Sequence, residues 1–246
     1  MSNARFGRRL VSVLFLALIS KLGGYHLVGA ETGKHLFILS GQSNMQGHRP
    51  EEAFAPTVRA AFGAANVLIV QDAQGGQPML RWWKNWRSPE GEKPEKTGDL
   101  YERLISKVKS AIEGHSLLSV TLIWMQGERD ARMKWGSVYE AGLKGLYAQL
   151  SEDLDREDIN FVNGRLSDFD LENEKYAHWS MIRDIQVSLA NSNDRFAWVN
   201  TDDLNDGLNR QGKPISNDLH YSAEGYKAFG KRIADAAVNL IREHSK

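Results

Sequence analysis

Two polar residues far apart in the chain could together make a nucleophile. Ser43 follows the apolar run Phe-Ile-Leu-Ser at 37–40, and His220 closes Asn-Asp-Leu-His at 217–220. A serine hydroxyl attacks a carbonyl only when a base takes its proton, and imidazole, with an ordinary pKa near 6.5, suits that task. His35, His48, His115, His178 and His244 are the other histidines of the chain beyond residue 30. His35 opens an apolar run, and His115 and His244 lie near the ends of helical stretches. His220 follows an acidic residue and leads into the last helical stretch, so a loop there can reach Ser43.

A third group must orient the imidazole. Asp218 precedes His220 by two residues and Asn217 by three; a carboxylate stabilises an imidazolium better than an amide does, which favours Asp218. The oxyanion of a tetrahedral intermediate needs donors. Gly75 and Gly76 allow close backbone approach, which makes the Gly76 N–H a candidate. The Ser43 N–H is a second, and the Gln126 side-chain amide a third. Glu128 and Asp130 would repel an oxyanion and are read as orienting loops or meeting substrate. Gln42, Asn44, Gly75 and Asn217 are further candidates for those supporting roles.

These residues need a scaffold that gathers them. Residues 35–40, 66–73, 119–126, 159–164 and 195–200 are short and apolar throughout, as strands of a parallel sheet covered on both faces are. Helical periods lie between them. Leu100, Leu104, Val108, Ala111 and Ile112 share one face; Tyr139, Leu143, Leu146, Leu150 and Leu154 another. Residues 179–190 form a further helix, and Tyr226, Phe229, Ile233, Ala237 and Leu240 the last, with Ser222 as its N-cap. The βα alternation predicts one three-layer α/β/α sandwich with a mainly parallel five-stranded sheet. Ligands of such folds bind outside the carboxyl ends of the strands, where Ser43, Gly75–Gly76, Gln126 and the 217–220 segment all fall. Residues 87–99, charged and holding two prolines, read as a surface loop.

Composition narrows the function. Lys plus Arg and Asp plus Glu number 31 each in 246 residues, giving no electrostatic case for a nucleic-acid partner. The absence of cysteine removes disulfides, cysteine–zinc sites and a thiol nucleophile. No HExxH motif is present. At the N-terminus, Arg5, Arg8 and Arg9 precede an apolar stretch at 10–20, and Val28-Gly29-Ala30 offers small residues for cleavage. Residues 1–30 therefore read as a signal peptide, with an uncleaved anchor as the alternative, and 31–246 as the mature domain. That domain is expected in a periplasm or outside the cell, with no stable membrane insertion after cleavage near Ala30.

Taken in order, Phe-Ile-Leu-Ser-Gly-Gln-Ser-Asn-Met (37–45), Gly-Gly-Gln-Pro-Met-Leu-Arg-Trp (75–82), Trp-Met-Gln-Gly-Glu-Arg-Asp-Ala (124–131) and Asn-Asp-Leu-His-Tyr-Ser-Ala-Glu-Gly-Tyr (217–226) resemble the blocks of the SGNH hydrolase superfamily. The resemblance is strongest to its sialate O-acetylesterase-like branch, which includes carbohydrate esterase family 6. It implies a flavodoxin-like fold and hydrolysis of acetyl esters on carbohydrate without metal or other cofactor. Ser43 matches the nucleophile, Gly76 the second-block oxyanion glycine with Gly75 as alternative, Gln126 the third-block amide donor and His220 the base. The family's last block reads Asp-x-x-His, whereas Asn217 stands at the first of those positions here. That leaves Asp218 acting through a shifted backbone, or a Ser–His dyad. The resemblance also admits a weakly active protein that binds acetylated glycans, or a sugar O-acyltransferase. Trp82, Trp83 and Trp86 offer faces for sugar rings, with core packing the expectation for at least one. Residues 48–54 are expected to shape the mouth beside Ser43. Oligomeric state and the identity of the sugar are not legible.

Overall fold

The computed structural model describes residue 1 and residues 33–245; the expected signal peptide and its cleavage point lie outside the described residues. Among those residues, no helix is long and apolar enough to cross a membrane.

Five strands form one parallel sheet: β1 (Lys34–Gly41), β2 (Val67–Ala73), β3 (Leu117–Met125), β4 (Asn160–Gly164) and β5 (Phe196–Val199). Their order is β2-β1-β3-β4-β5, with every neighbouring pair parallel. Strand β1, paired on both sides by β2 and β3, has no exposed face, since Leu36, Phe37, Ile38 and Leu39 are all buried. This is the outcome that a run without alternation implies.

Among the described residues, seven α-helices connect and cover the sheet. Two are single turns at strand ends, α1 (Ser43–Gly47) after β1 and α4 (Glu128–Arg132) after β3. The others are α2 (Phe54–Phe62), α3 (Asp99–Ile112), α5 (Gly136–Leu154), α6 (Trp179–Ala190) and α7 (Ala223–His244). Helices α2 and α7 pack on each other, as do α5 and α6, while α3 lies against β2 and β1. Most periodic positions read from sequence are buried, including Leu100, Leu104 and Val108 on α3 and Phe229, Ile233 and Ala237 on α7, while Ala111, Ile112 and Leu154 at the helix ends are partly buried. Ser222 caps α7 as expected, its hydroxyl accepting the Gly225 N–H at 3.0 Å. A two-stranded antiparallel hairpin, β6 (Gly207–Leu208) with β7 (Pro214–Ile215), precedes the 217–220 loop. Sequence patterning did not find it, because two residues per strand leave no period to read.

Two expectations are corrected. Trp82 and Trp86 are fully buried; Trp82 meets Trp124 edge-on at 5.2 Å and Trp86 packs on Trp135 at 4.6 Å. The half-buried Trp83 lies against Gly145, where its indole occupies the space a Cβ would take. The three rings are core, not a sugar platform. Within residues 48–54, His48 and Phe54 turn inward while Arg49 and Glu51 stay exposed. His48 is buried, edge-on to Phe54 and Phe229, and a methyl group at Gly230 would lie 2.7 Å from its Cε1.

Neither ring nitrogen of His48 has a hydrogen-bond partner. Burial lowers its pKa to about 4, opposed by the nearby Glu52 carboxylate. The unfolded chain therefore takes up a proton near pH 6.5 that the folded chain refuses until about pH 4. Stability held above pH 6.5 is lost as pH falls through that window. His48→Leu is expected to unfold at higher denaturant than wild type at pH 5, by about 2 kcal/mol more than at pH 7.5. Urea melts of both proteins at the two pH values check this; a pH-independent difference would show that burial does not depress the imidazole's pKa.

Candidate active site

Strand β1 ends at Gly41, whose φ is +138°; a Cβ there would strike the Met125 carbonyl of β3 at 2.0 Å. Only glycine lets the two strand ends approach so closely. The chain then turns, with the Gln42 N–H donating to the Met125 carbonyl at 2.9 Å, and α1 begins at Ser43. Ser43 thus stands at the carboxyl edge of the sheet, half-buried, where the fold expects chemistry.

Ser43 lines a cleft of about 310 Å³ together with Gln42, Gly75, Gly76, Leu219 and His220, closed by Glu128, Arg129, Arg132 and Tyr176. The serine and the histidine, 177 positions apart, thus share one cavity. No hydrogen bond joins them in the described structure; such contacts often close only around a bound substrate.

The side chain of Asn44 sets their relation. Its Nδ2 donates to the Leu219 carbonyl at 3.1 Å, and its Oδ1 accepts the Tyr221 N–H at 3.4 Å. Those residues flank His220. The residue after the serine therefore grips the chain on both sides of the histidine. The same Oδ1 accepts the Tyr226 hydroxyl at 3.2 Å, and Nδ2 donates to Glu128 Oε1 at 3.1 Å. With carboxylate on one side and donors on the other, the amide has one satisfied orientation. Asn44 is therefore a positioning residue.

Beyond β2, the two glycines differ. The Gly75 N–H is taken by Gln46 Oε1 at 2.9 Å, and its Cα faces Ser43, a built Cβ lying 3.4 Å from Ser43 Cβ. The Gly76 N–H has no partner among the described residues, and Gly76 sits at φ +69°. The Ser43 N–H, in the first turn of α1, is likewise outside the helical ladder.

Gln126 is not in the cleft. Its buried amide donates to Asp130 Oδ2 at 2.5 Å, to the Gln77 carbonyl at 3.2 Å and to Gln42 Oε1 at 3.4 Å. Asp130 in turn accepts the Met79 N–H at 2.9 Å. The expectation that Gln126 meets an oxyanion is corrected on this ground: its donors are spent on the wall. Gln42 occupies the cleft instead. Its carbonyl oxygen is held by Gln126 and by the Arg129 N–H at 3.1 Å, which leaves its NH₂ unbonded among the described residues.

The carboxylates follow the same division. Glu128 and Asp130 are both buried, and desolvation pushes each up to about pH 7. Glu128 Oε1 holds Asn44, while Oε2 has no partner. Asp130 thus holds Gln126 and the Met79 N–H, while Glu128 holds Asn44 and also lines the cleft.

At the histidine end, Asp218 Oδ1 accepts the His220 N–H at 2.8 Å and lies 3.8 Å from His220 Nδ1. Both side chains are nearly half exposed. Asn217 adopts the left-handed conformation, φ +44°, and its side chain turns away to the Phe169 carbonyl and Asn205. The Asn-Asp pair is thus a turn in which asparagine tolerates positive φ and aspartate bonds the backbone two residues on.

Sequence reasoning missed Arg129, Arg132 and Tyr176. The two arginines are one helical turn apart after Gln126-Gly127-Glu128, a signal available once α4 is recognised. Tyr176 ends a loop whose N–H groups at 174–176 are gathered by Asp170 at 2.6–3.1 Å; no local pattern announces it.

A family model described as carbohydrate esterase, sialic acid-specific acetylesterase, matches residues 47–239. The chain belongs to this family of carbohydrate esterases. Three solved structures share the fold: a protein from Arabidopsis thaliana (19% identity, TM-score 0.62, covering 85% of this chain and 99% of that one); a carbohydrate acetylesterase from Xanthomonas citri (16%, 0.62, 87% and 57%); and NanS (14%, 0.60, 86% and 99%). No curated protein sequence matches the chain. The matched segment begins after Ser43, so the role of that serine rests on the cleft. As a carbohydrate acetylesterase with a parallel α/β/α sheet, the protein must hold its reacting groups to within a fraction of an ångström.

Asn44→Ala removes the grip on 219 and 221 and strands Glu128 and the Tyr226 hydroxyl. It is expected to lower acetylesterase kcat/KM about 100-fold, mainly in kcat, through misplacement alone. Far-UV circular dichroism with steady-state kinetics checks this; a folded variant of unchanged kcat would remove Asn44 from the account.

Proposed function

We propose that the protein is an exported serine esterase that removes acetyl groups from sugars bearing a carboxylate. The observation that carries this reading is the single cleft in which Ser43, His220 and two unspent donors, the Gly76 N–H and the Gln42 amide, face one another. Ser43 Oγ attacks the acetyl carbonyl while His220 takes its proton. The oxyanion that forms is met by the Gly76 and Ser43 N–H groups and the Gln42 amide. As the tetrahedral intermediate collapses, the C–O bond to the sugar breaks and His220 returns the proton to the departing sugar oxygen. Water, deprotonated by His220, then attacks the acetyl-serine, and acetate leaves as Ser43 regains its proton. Every step uses the same donors and the same base, and no step calls for a cofactor.

Asp218 is the acid in this scheme. Its carboxylate is the charged group nearest His220 Nδ1, at 3.8 Å, whereas Asn217 is engaged elsewhere. The carboxylate preference rests on Arg129 and Arg132. Both line the cleft, and neither guanidinium has an acidic partner among the described residues. Two unpaired guanidiniums beside a catalytic serine favour an anionic sugar, in keeping with the sialic acid of the family's description. Export is supported by the basic and apolar segments at 5–20 and the small residues at 28–30.

Released acetate, measured on an O-acetylated sialic acid and on 4-nitrophenyl acetate, tests the mechanism. Ser43→Ala is expected to abolish both reactions. Asp218→Asn is expected to cost more than Asn217→Ala, and Arg132→Ala to raise KM for the acidic sugar alone. Wild-type rates in Ser43→Ala would refute the nucleophile, and the reverse ranking at 217 and 218 would refute the acid. N-terminal sequencing of protein from the exported fraction should begin at residue 31; an intact Met1 there would refute cleavage.

A further inference from the structure

His220 borders two cavities. One is the cleft shared with Ser43; the other, of about 370 Å³, is lined by Asn209, Arg210, Gln211 and Ile215 of the β6–β7 hairpin together with Asp218 and His220. We propose that this second cavity binds a neutral sugar joined to the acetylated one, so that the enzyme's preferred substrate is an acetylated oligosaccharide. The inference rests on the mechanism above.

The chemistry fixes where the substrate must cross. The departing oxygen has to meet His220 to receive its proton, so the acetylated sugar sits at the junction of the two cavities. Each cavity is near the lower end of the ~300–1,000 Å³ typical of small-molecule sites. Arginines in the first cleft suit an acidic ring there. The second cavity differs in character. Its one arginine, Arg210, is already neutralised by Glu52 through two bonds of 2.6 and 2.8 Å and lies over the Tyr226 ring at 5.0 Å. What remains unbonded among the described residues is the Gln211 side chain, the Asn209 Nδ2 and Asp218 Oδ2, beside the half-buried Ile215. Amide donors and acceptors, a carboxylate acceptor and an apolar patch are what hydroxyls and a C–H face require. A carboxylated ring would be repelled by Asp218.

The walls are preformed. Asn209 Oδ1 accepts the N–H groups of Gln211 and Lys213, both at 3.0 Å, and Arg210 ties the hairpin to Gly47 and Glu52. Little ordering is left for a ligand to impose. Occupancy also reaches the relay. The Asp218–His220 pair is 3.8 Å apart and open to water, with side chains 42% and 47% exposed. A sugar seated against Asp218 would exclude that water and strengthen its hold on the imidazolium formed during reaction. The second sugar therefore raises kcat as well as lowering KM.

Acetate release is measured with an O-acetylated sialic acid and with the same sugar glycosidically linked to a neutral hexose. Wild type is expected to show a kcat/KM at least about tenfold higher for the disaccharide, with part of the gain in kcat. Gln211→Trp, which fills the cavity, is expected to erase that advantage. Equal constants for the two substrates in wild type would overturn the subsite while leaving the esterase reading intact, as would an advantage that survives Gln211→Trp. Hydrolysis of neither substrate would overturn both.

Discussion

One amide side chain joins the halves of this site. Ser43 sits on a strand end and His220 on a loop, and no backbone ladder connects them. Asn44 does so instead, by bonding the Leu219 carbonyl and the Tyr221 N–H on either side of the histidine. Ser43 follows directly on the hydrogen-bonded end of β1, whereas the loop that carries His220 follows a hairpin of two residues per strand. The grip of Asn44 ties the His220 loop to the end of β1. Its own orientation is set by Glu128 on one side and the Tyr226 hydroxyl on the other, so α4 and α7 also contribute to the spacing.

The wall behind the cleft works by the same logic. Asp130 holds Gln126, Gln126 holds Gln42, and Gln42 is left with one free NH₂ in the cavity. Placing two carboxylates in this buried layer is costly, and burial raises both toward neutrality. The return is that each amide has one orientation, since a carboxylate accepts only donors. The apolar enclosure of His48 shows the opposite arrangement, a titratable ring with no polar partner.

The scaffold was legible because its signals are local. All five strands of the sheet, and the helices α3, α5, α6 and α7, announce themselves by apolar runs or periods of 3.6, and Ser222 by its cap chemistry. The convergence of Ser43, the glycine pair and His220 followed from the parallel-sheet rule and was found in one cleft. The choice between Gln42 and Gln126 was not legible. Both are glutamines at strand ends, and which one faces the cavity depends on Asp130, a partner fixed only by packing. The tryptophans misled because an aromatic cluster reads alike as core or platform until the sheet's cover is known. The left-handed turn at Asn217–Asp218 carried a signal, since asparagine favours positive φ, but its consequence for His220 required the backbone.

The central claim is that Ser43 is activated in a cleft whose geometry Asn44 maintains. A fluorophosphonate, which forms a stable adduct with an activated serine, tests it directly. Mass spectrometry of the labelled, digested protein should place one phosphonyl group per chain on the peptide containing Ser43, with the labelling rate sharply reduced in Asn44→Ala. Labelling at another residue, or at Ser43 with equal rates in wild type and Asn44→Ala, would contradict the account.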